Sequence, residues 1–163
     1  MALDKTLSET ELTSLAEETV ELAVQCVKRG GIPFAALVVG PDGSVLGSGV
    51  NEVAEERDAV AHAEVVAMRA AGSRSNHFRL HRAILIASGE PCALCYHAAL
   101  YFNIGEIAVI ATRDEAAKYG FDYTASYRIF ATDPKAWSAY TVRRIPLASG
   151  LEPFRLWQLR NAT

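Results

Sequence analysis

Residues 83–97 read AILIASGEPCALCYH, and no other run constrains the fold as tightly. AILIAS is an unbroken apolar stretch of strand length, the pattern of a strand covered on both faces. Pro91 suits the first turn of a helix, where a missing N–H costs nothing. A buried strand that feeds straight into a helix is half of a β–α unit, so the chain needs a sheet with helices on both sides.

The rest of the chain supplies the partners. Ser8 and Glu11 form a capping-box pattern, followed by Leu12, Leu15, Ala16, Leu22, Ala23, Cys26 and Val27 at helical spacing; Gly30-Gly31 ends that helix. Cys26 falls on its apolar face and reads as a core residue. PFAALVV and SVLGSGV flank Pro41-Asp42-Gly43, which predicts a hairpin. EVAEERDA reads as loop, HAEVVAMRAAG as a helix ending near Gly72, CALCYHAALYF as a helix, EIAVIAT (106–112) as a strand and RDEAAKYG as a short helix. Beyond it the aromatics thicken and the periodicity weakens until LEPFRLWQLRNAT, which reads as helical. The expectation is one domain over residues 1–163, a three-layer α/β/α fold around a central mixed sheet of about five strands.

Composition narrows the chemistry. Three cysteines, two of them neighbours, argue against a disulfide framework and for metal or thiol chemistry. A net charge of −3 without a basic stripe makes a nucleic-acid partner unfavoured. No run approaches the ~20 apolar residues of a membrane span, and MALDKTLSETEL lacks a secretory signal. A cytoplasmic location is the default expectation.

Cys92 and Cys95 lie three apart on one helical face and can address one ion. A helix N-terminus favours their thiolates. His62-Ala63-Glu64 opens the preceding helix after a polar loop, so a third ligand lies one structural unit upstream. One imidazole and two thiolates leave the fourth position of a zinc ion open, which is the catalytic arrangement. Glu64, two residues from His62, is placed as a general base and acid. A thioredoxin-like dithiol and a structural zinc knuckle with His97 as fourth ligand are the competing readings of the cysteine pair. His77 and His81 read as surface or supporting residues.

H-x-E…P-C-x-x-C is the signature of the zinc deaminases. The chain resembles the cytidine-deaminase-like superfamily, and within it the small bacterial guanine deaminases. The resemblance runs from about residue 20 to the end: Gly49-Val50-Asn51 before the His motif, Ile32-Pro33-Phe34, Gly120-Phe121-Asp122 and Pro153-Phe154-x-x-Trp157. It implies one Zn2+ per chain on His62, Cys92 and Cys95, with Glu64 as proton shuttle. It also implies a substrate pocket formed by Asn51, Phe34, Ala63, Tyr101, Asp122 and Tyr123. A homodimer is implied too, with C-terminal segments (about 133–163) exchanged between subunits.

Two departures bear on the substrate. Tyr123 stands where these enzymes carry a second acid, and the chain ends Asn161-Ala162-Thr163 instead of in a tyrosine. A phenol does not replace an acid freely, since an unpaired buried donor costs about 1–3 kcal/mol. The expected activity is hydrolytic deamination of a small heterocyclic amine, guanine to xanthine first. Cytosine, other aminopyrimidines, pterins and triazines are the alternatives, and a noncatalytic zinc-stabilised interaction domain is the alternative of another kind.

Overall fold

The computed structural model describes residues 7–75 and 79–131. Helix α1 (Glu9–Lys28) starts at the Ser8–Glu11 capping box read from sequence, and Gly30 follows it with φ +90°. Strands β1 (Ala35–Val39) and β2 (Val45–Val50) form the expected hairpin. At its tip Gly43 takes φ +87°, and Asp42 Oδ1 accepts from the Ser44 N–H and hydroxyl. After helix α3 (Ala63–Ser75) come β3 (Ile84–Gly89), α4 (Ala93–Tyr101), β4 (Glu106–Ala111) and the short α5 (Arg113–Ala117). A 3-10 helix (Thr124–Ala131) ends the described chain.

Two boundaries differ from expectation. EVAEERDA contains a one-turn helix, α2 (Val53–Glu56), because the Asn51 side chain accepts the Val53 N–H and Glu56 N–H donates to the Glu52 carbonyl. Left-handed Arg57 (φ 52°) ends it. Helix α3 runs through Gly72 to Ser75, whose hydroxyl donates back to the Ala71 carbonyl; one interior glycine costs about 1 kcal/mol, less than the helix gains by packing. The predicted C-terminal helix, the exchanged segment about 133–163, and His77 lie outside the described residues.

The sheet has the order β2-β1-β3-β4. β1 pairs antiparallel with β2 and β3, while β3 and β4 are parallel, so the sheet is mixed as expected. It has four strands among the described residues where about five were anticipated. The strand period of two sorts β1 and β3 between two cores. Ala36, Val38 and Leu85 face Ala63, Ala67, Met68 and Ala71 of α3 and Ala99 of α4. Leu37, Val39 and Ile86 face Leu12, Leu15, Ala16 and Leu22 of α1. Helices on both faces make the three layers, and Cys26 is buried in α1.

The α3 side is drawn together by glycine. A Cβ at Gly47 would stand 2.5 Å from the Ala67 carbonyl oxygen and the Ala71 nitrogen, and one at Gly49 would stand 2.5 Å from the Ala63 carbonyl oxygen. These are backbone atoms, which no rotamer change can move aside. Gly49→Ala is therefore expected to destabilise the fold by about 1–3 kcal/mol or more, read as a lower urea midpoint. An unchanged midpoint would show that α3 lifts off the sheet at little cost.

Candidate metal centre

Two helix starts meet at the ends of β1 and β3. His62 precedes α3, and its carbonyl accepts the first helical bond, from Val66 N–H at 2.9 Å. The loop leading to it is tied down: Asp58 accepts from Val60 N–H and pairs with Arg69 at 3.4 Å, and the Ala61 carbonyl accepts from Glu52 N–H. These contacts hold the chain that leads to His62. On the other side, Cys92 occupies the N-cap of α4 with extended backbone (φ −72°, ψ 175°), and Cys95 lies one turn inside, buried.

The two sulfurs are 3.8 Å apart, and His62 Nδ1 lies 3.5 Å from each. Tetrahedral zinc with Zn–S of about 2.3 Å and Zn–N of about 2.0 Å spaces its donors by roughly 3.8 Å between sulfurs and roughly 3.5 Å from sulfur to nitrogen. The donor set therefore fits zinc in both element type and spacing. Among the described residues, these three form the only such cluster of histidine, cysteine or acid donors. His97, the competing fourth ligand, is exposed on α4 and stacks edge-on against Phe130 at 4.9 Å.

Protonation follows the same geometry. Hydrogen bonds from the Cys95 thiol, and then from His62, pull Cys92 down to about 4, against the effect of burial. The Cys92 thiolate, followed by burial and the Glu64 carboxylate, pushes Cys95 up. A cation bound between the two sulfurs favours the thiolate form of both. The hydrogen bond to Cys92 raises His62, partly offset by burial.

Glu64 is 5% exposed, and its Oε2 accepts from the Cys95 sulfur at 3.4 Å. Burial raises its pKa above the usual 4.5. It stands beside the three-donor cluster and is not part of it.

A cavity of about 130 Å³ opens onto these groups. Asn51, Phe34, Ala63 and Tyr123 line it, together with His62, Glu64 and Cys92. Asn51 spends its side-chain oxygen on Val53 N–H, a turn contact. Phe34 packs edge-on against Phe121 at 5.2 Å and lies against Gly89, where a Cβ would come within 2.6 Å of its ring. Glycine at 89 gives that ring its room. A larger cavity of about 590 Å³ lies across Phe34, mostly apolar, with Ser88, Glu115 and Tyr119 as its polar side chains and without the donor set.

Two expected residues are placed elsewhere. Tyr101 is 84% exposed at the last position of α4. At about 1.5 Å of rise per residue, a helix carries it well over 10 Å from the Cys92 end. Asp122 is exposed, and its carboxylate is engaged by the Thr124 N–H and hydroxyl at 3.0 and 2.6 Å. Two residues without a sequence-assigned role do line the cavity, Ile32 and Glu90. The Glu90 carboxylate accepts from Arg113 N–H at 2.8 Å and from the Tyr96 hydroxyl at 3.5 Å, and Tyr123 donates to the Glu90 carbonyl at 2.6 Å. No local pattern in the sequence marks Glu90, because its partners come from three other segments.

Known proteins resemble this chain in sequence and fold. Residues 9–111 match the family described as the cytidine and deoxycytidylate deaminase zinc-binding region. The chain is 32% identical over 143 residues to the guanine deaminase of Bacillus subtilis (strain 168), covering 87% of this chain and 90% of that one. The solved structure of guanine deaminase from Bacillus subtilis superposes with a TM-score of 0.82 at 29% identity, covering 94% of this chain and 95% of that chain. A guanine deaminase from Nitrosomonas europaea matches with a TM-score of 0.66 at 25% identity, covering 82% and 72%.

A carboxyl whose folded pKa lies above its unfolded value gains a proton on folding, so ionising it at higher pH opposes folding. Metal-free protein with Glu64→Gln should therefore be more stable than the parent at pH 7, with the difference closing as pH falls toward about 4.5. Denaturant titrations across pH measure this; a variant less stable at pH 7 would show that the carboxylate is held by favourable contacts instead.

Proposed function

The chain belongs to the cytidine and deoxycytidylate deaminase zinc-binding family, and on that premise we propose that it is a zinc-dependent hydrolytic deaminase converting guanine to xanthine and ammonia. One observation carries the reading: a buried carboxyl, Glu64, touches a three-donor zinc set without belonging to it. A structural zinc site wants four protein donors and no such carboxyl. The guanine deaminase relative, similar along nearly its whole length, supports the choice of base.

In this reading His62 Nδ1 and the sulfurs of Cys92 and Cys95 hold the zinc. When bound there, zinc supplies an activated water by lowering its pKa toward ~7. Glu64 accepts the proton that the attacking water gives up and passes it to a ring nitrogen, which makes the amine-bearing carbon electrophilic. The same carboxyl then takes the second proton, from the hydroxyl now on that carbon, and delivers it to the departing amine as the carbonyl forms, so one water is consumed and one ammonia leaves. Burial suits Glu64 to this relay, because a raised pKa lets it hold a proton between transfers. Phe34 and Tyr123 flank the ring, Ala63 lies under it, and the Asn51 amide, its oxygen used by the turn, offers N–H donors to the base edge. The same family reading makes the working unit a cytoplasmic homodimer; among the described residues no helix is long and apolar enough to cross a membrane.

Glu64→Ala should keep its zinc and its fold while ammonia release falls by about 10²–10⁴-fold, the usual worth of a general acid–base group. Undiminished turnover would remove Glu64 from the mechanism, whereas a parent protein that binds zinc and releases no ammonia from any ring would leave a noncatalytic zinc domain as the reading. An ammonia-release screen over guanine, cytosine, adenine, their nucleosides, pterins and aminotriazines tests the substrate: guanine should give the highest kcat/KM. Faster turnover of another ring would reassign it, and Tyr123 in place of the related acid is the feature that makes the comparison necessary. Sedimentation of the full chain should give the mass of two chains; a single-chain mass would remove the dimer from the reading.

A further inference from the structure

Cys92 stands at the N-cap of α4, a position where Ser, Thr, Asp or Asn ordinarily accepts the first free N–H groups of the helix. Here the side chain is a sulfur turned to His62 and Cys95. The turn that carries it is fastened from outside, by residues far along the chain. The Tyr123 hydroxyl donates to the Glu90 carbonyl at 2.6 Å, and the Tyr127 hydroxyl donates to the Pro91 carbonyl at 2.5 Å. Ser126 Oγ accepts the Ala93 N–H, the first of the helix, at 3.2 Å. On the strand side, Glu90 N–H donates to the Ala111 carbonyl at 2.8 Å.

The fastener is itself built to stay in place. The Tyr127 ring lies 6.2 Å from Tyr96 and 5.8 Å from Phe130, and the Arg113 guanidinium sits 4.7 Å over its face. Arg113 also donates its backbone N–H to Glu90. The 3-10 helix and the start of α5 thus grip one turn, and that turn presents a metal donor.

We propose that Tyr127 and Ser126, together with Tyr123, are positioning residues for the zinc ligand Cys92: the two tyrosine hydroxyls tie down the Glu90 and Pro91 carbonyls and Ser126 Oγ accepts the Ala93 N–H, which fixes the turn with the Cys92 sulfur facing the ion. The proposal rests on the zinc ligands named above and is independent of which base is the substrate. Outer groups of this kind commonly contribute 10–100-fold in metal affinity. Loss of the Tyr127 hydroxyl frees the Pro91 carbonyl one residue from the ligand, whereas loss of ring packing alone leaves the hydrogen bonds in place.

The test compares Tyr127→Phe, Ser126→Ala and Phe130→Leu with the parent full-length protein. Each is loaded with zinc and released into excess chromogenic chelator; each is also loaded with cobalt(II), whose visible and sulfur-to-metal absorption reports ligand geometry. Tyr127→Phe should release zinc about tenfold faster and show a displaced cobalt spectrum, with Ser126→Ala moving both readouts in the same direction. Phe130→Leu should lower the melting temperature of the metal-free protein while keeping the parent's spectrum and release rate. Parent-like spectrum and release in Tyr127→Phe would overturn the proposal, as would equal effects in Phe130→Leu, which would reduce the tyrosine to general packing. If Tyr127→Phe fails to fold, Ser126→Ala decides by the same two readouts. A parent protein that takes up no zinc would overturn the metal reading and this proposal together, whereas a substrate other than guanine would leave the proposal standing.

Discussion

The structure depends on how close α3 comes to β2. Gly47 and Gly49 on the strand face Ala63, Ala67 and Ala71 on the helix, and the separation leaves no room for another carbon at either glycine. Small residues on both sides let the two backbones approach almost to contact. That closeness sets the height of the α3 N-terminus over the sheet, and with it the positions of His62 and Glu64. The cysteines are carried by a separate unit, β3 with α4. The donor spacing is therefore as good as the registry of two units packed on one sheet, and the glycine–alanine contact is what makes that registry rigid.

The same packing places groups where they are individually unfavourable. Glu64 is buried beside a thiolate, and Cys95 is buried between Cys92 and a carboxyl. A sequence chosen for stability alone would carry apolar side chains there. Charged and polarisable groups held in a buried site without enough counter-charge mark a place where function overrides local stability. A divalent cation relieves each of these conflicts at once, which explains why the donors share one small volume.

Much of this was legible in the residues. The capping box at Ser8, the Pro-Asp-Gly hairpin and the buried run of β3 are local patterns with local causes, and the two metal motifs announce their chemistry by residue type and order. Contacts made through space were not legible. Tyr101 falls within the predicted helix beside the cysteine motif, but the rise of that helix takes it away from them. Asp122 belongs to a recognisable motif, yet the Thr124 N–H and hydroxyl two residues on engage it. Conversely, Tyr127 and Ser126 lie in a stretch without clear periodicity, because a 3-10 helix held by aromatic stacking leaves no 3.6-residue pattern. Their partners, Pro91 and Ala93, are remote in sequence, so nothing adjacent could have signalled them.

β1 is central in more than position. Its pairing with β3, Ala36 opposite Ala87 and Val39 opposite Ile84, closes a long loop that contains the β1–β2 hairpin, all of α3 and His62. Cys92 and Cys95 lie just beyond the point of closure. An extended chain cannot bring the imidazole to the sulfurs until that loop has closed, and closure of long loops is entropically costly and slow. Metal affinity is consequently a property of the assembled sheet. An ion bound across the two units opposes any opening that would part β1 from β3, acting as a reversible cross-link whose strength is set by the free concentration of the metal.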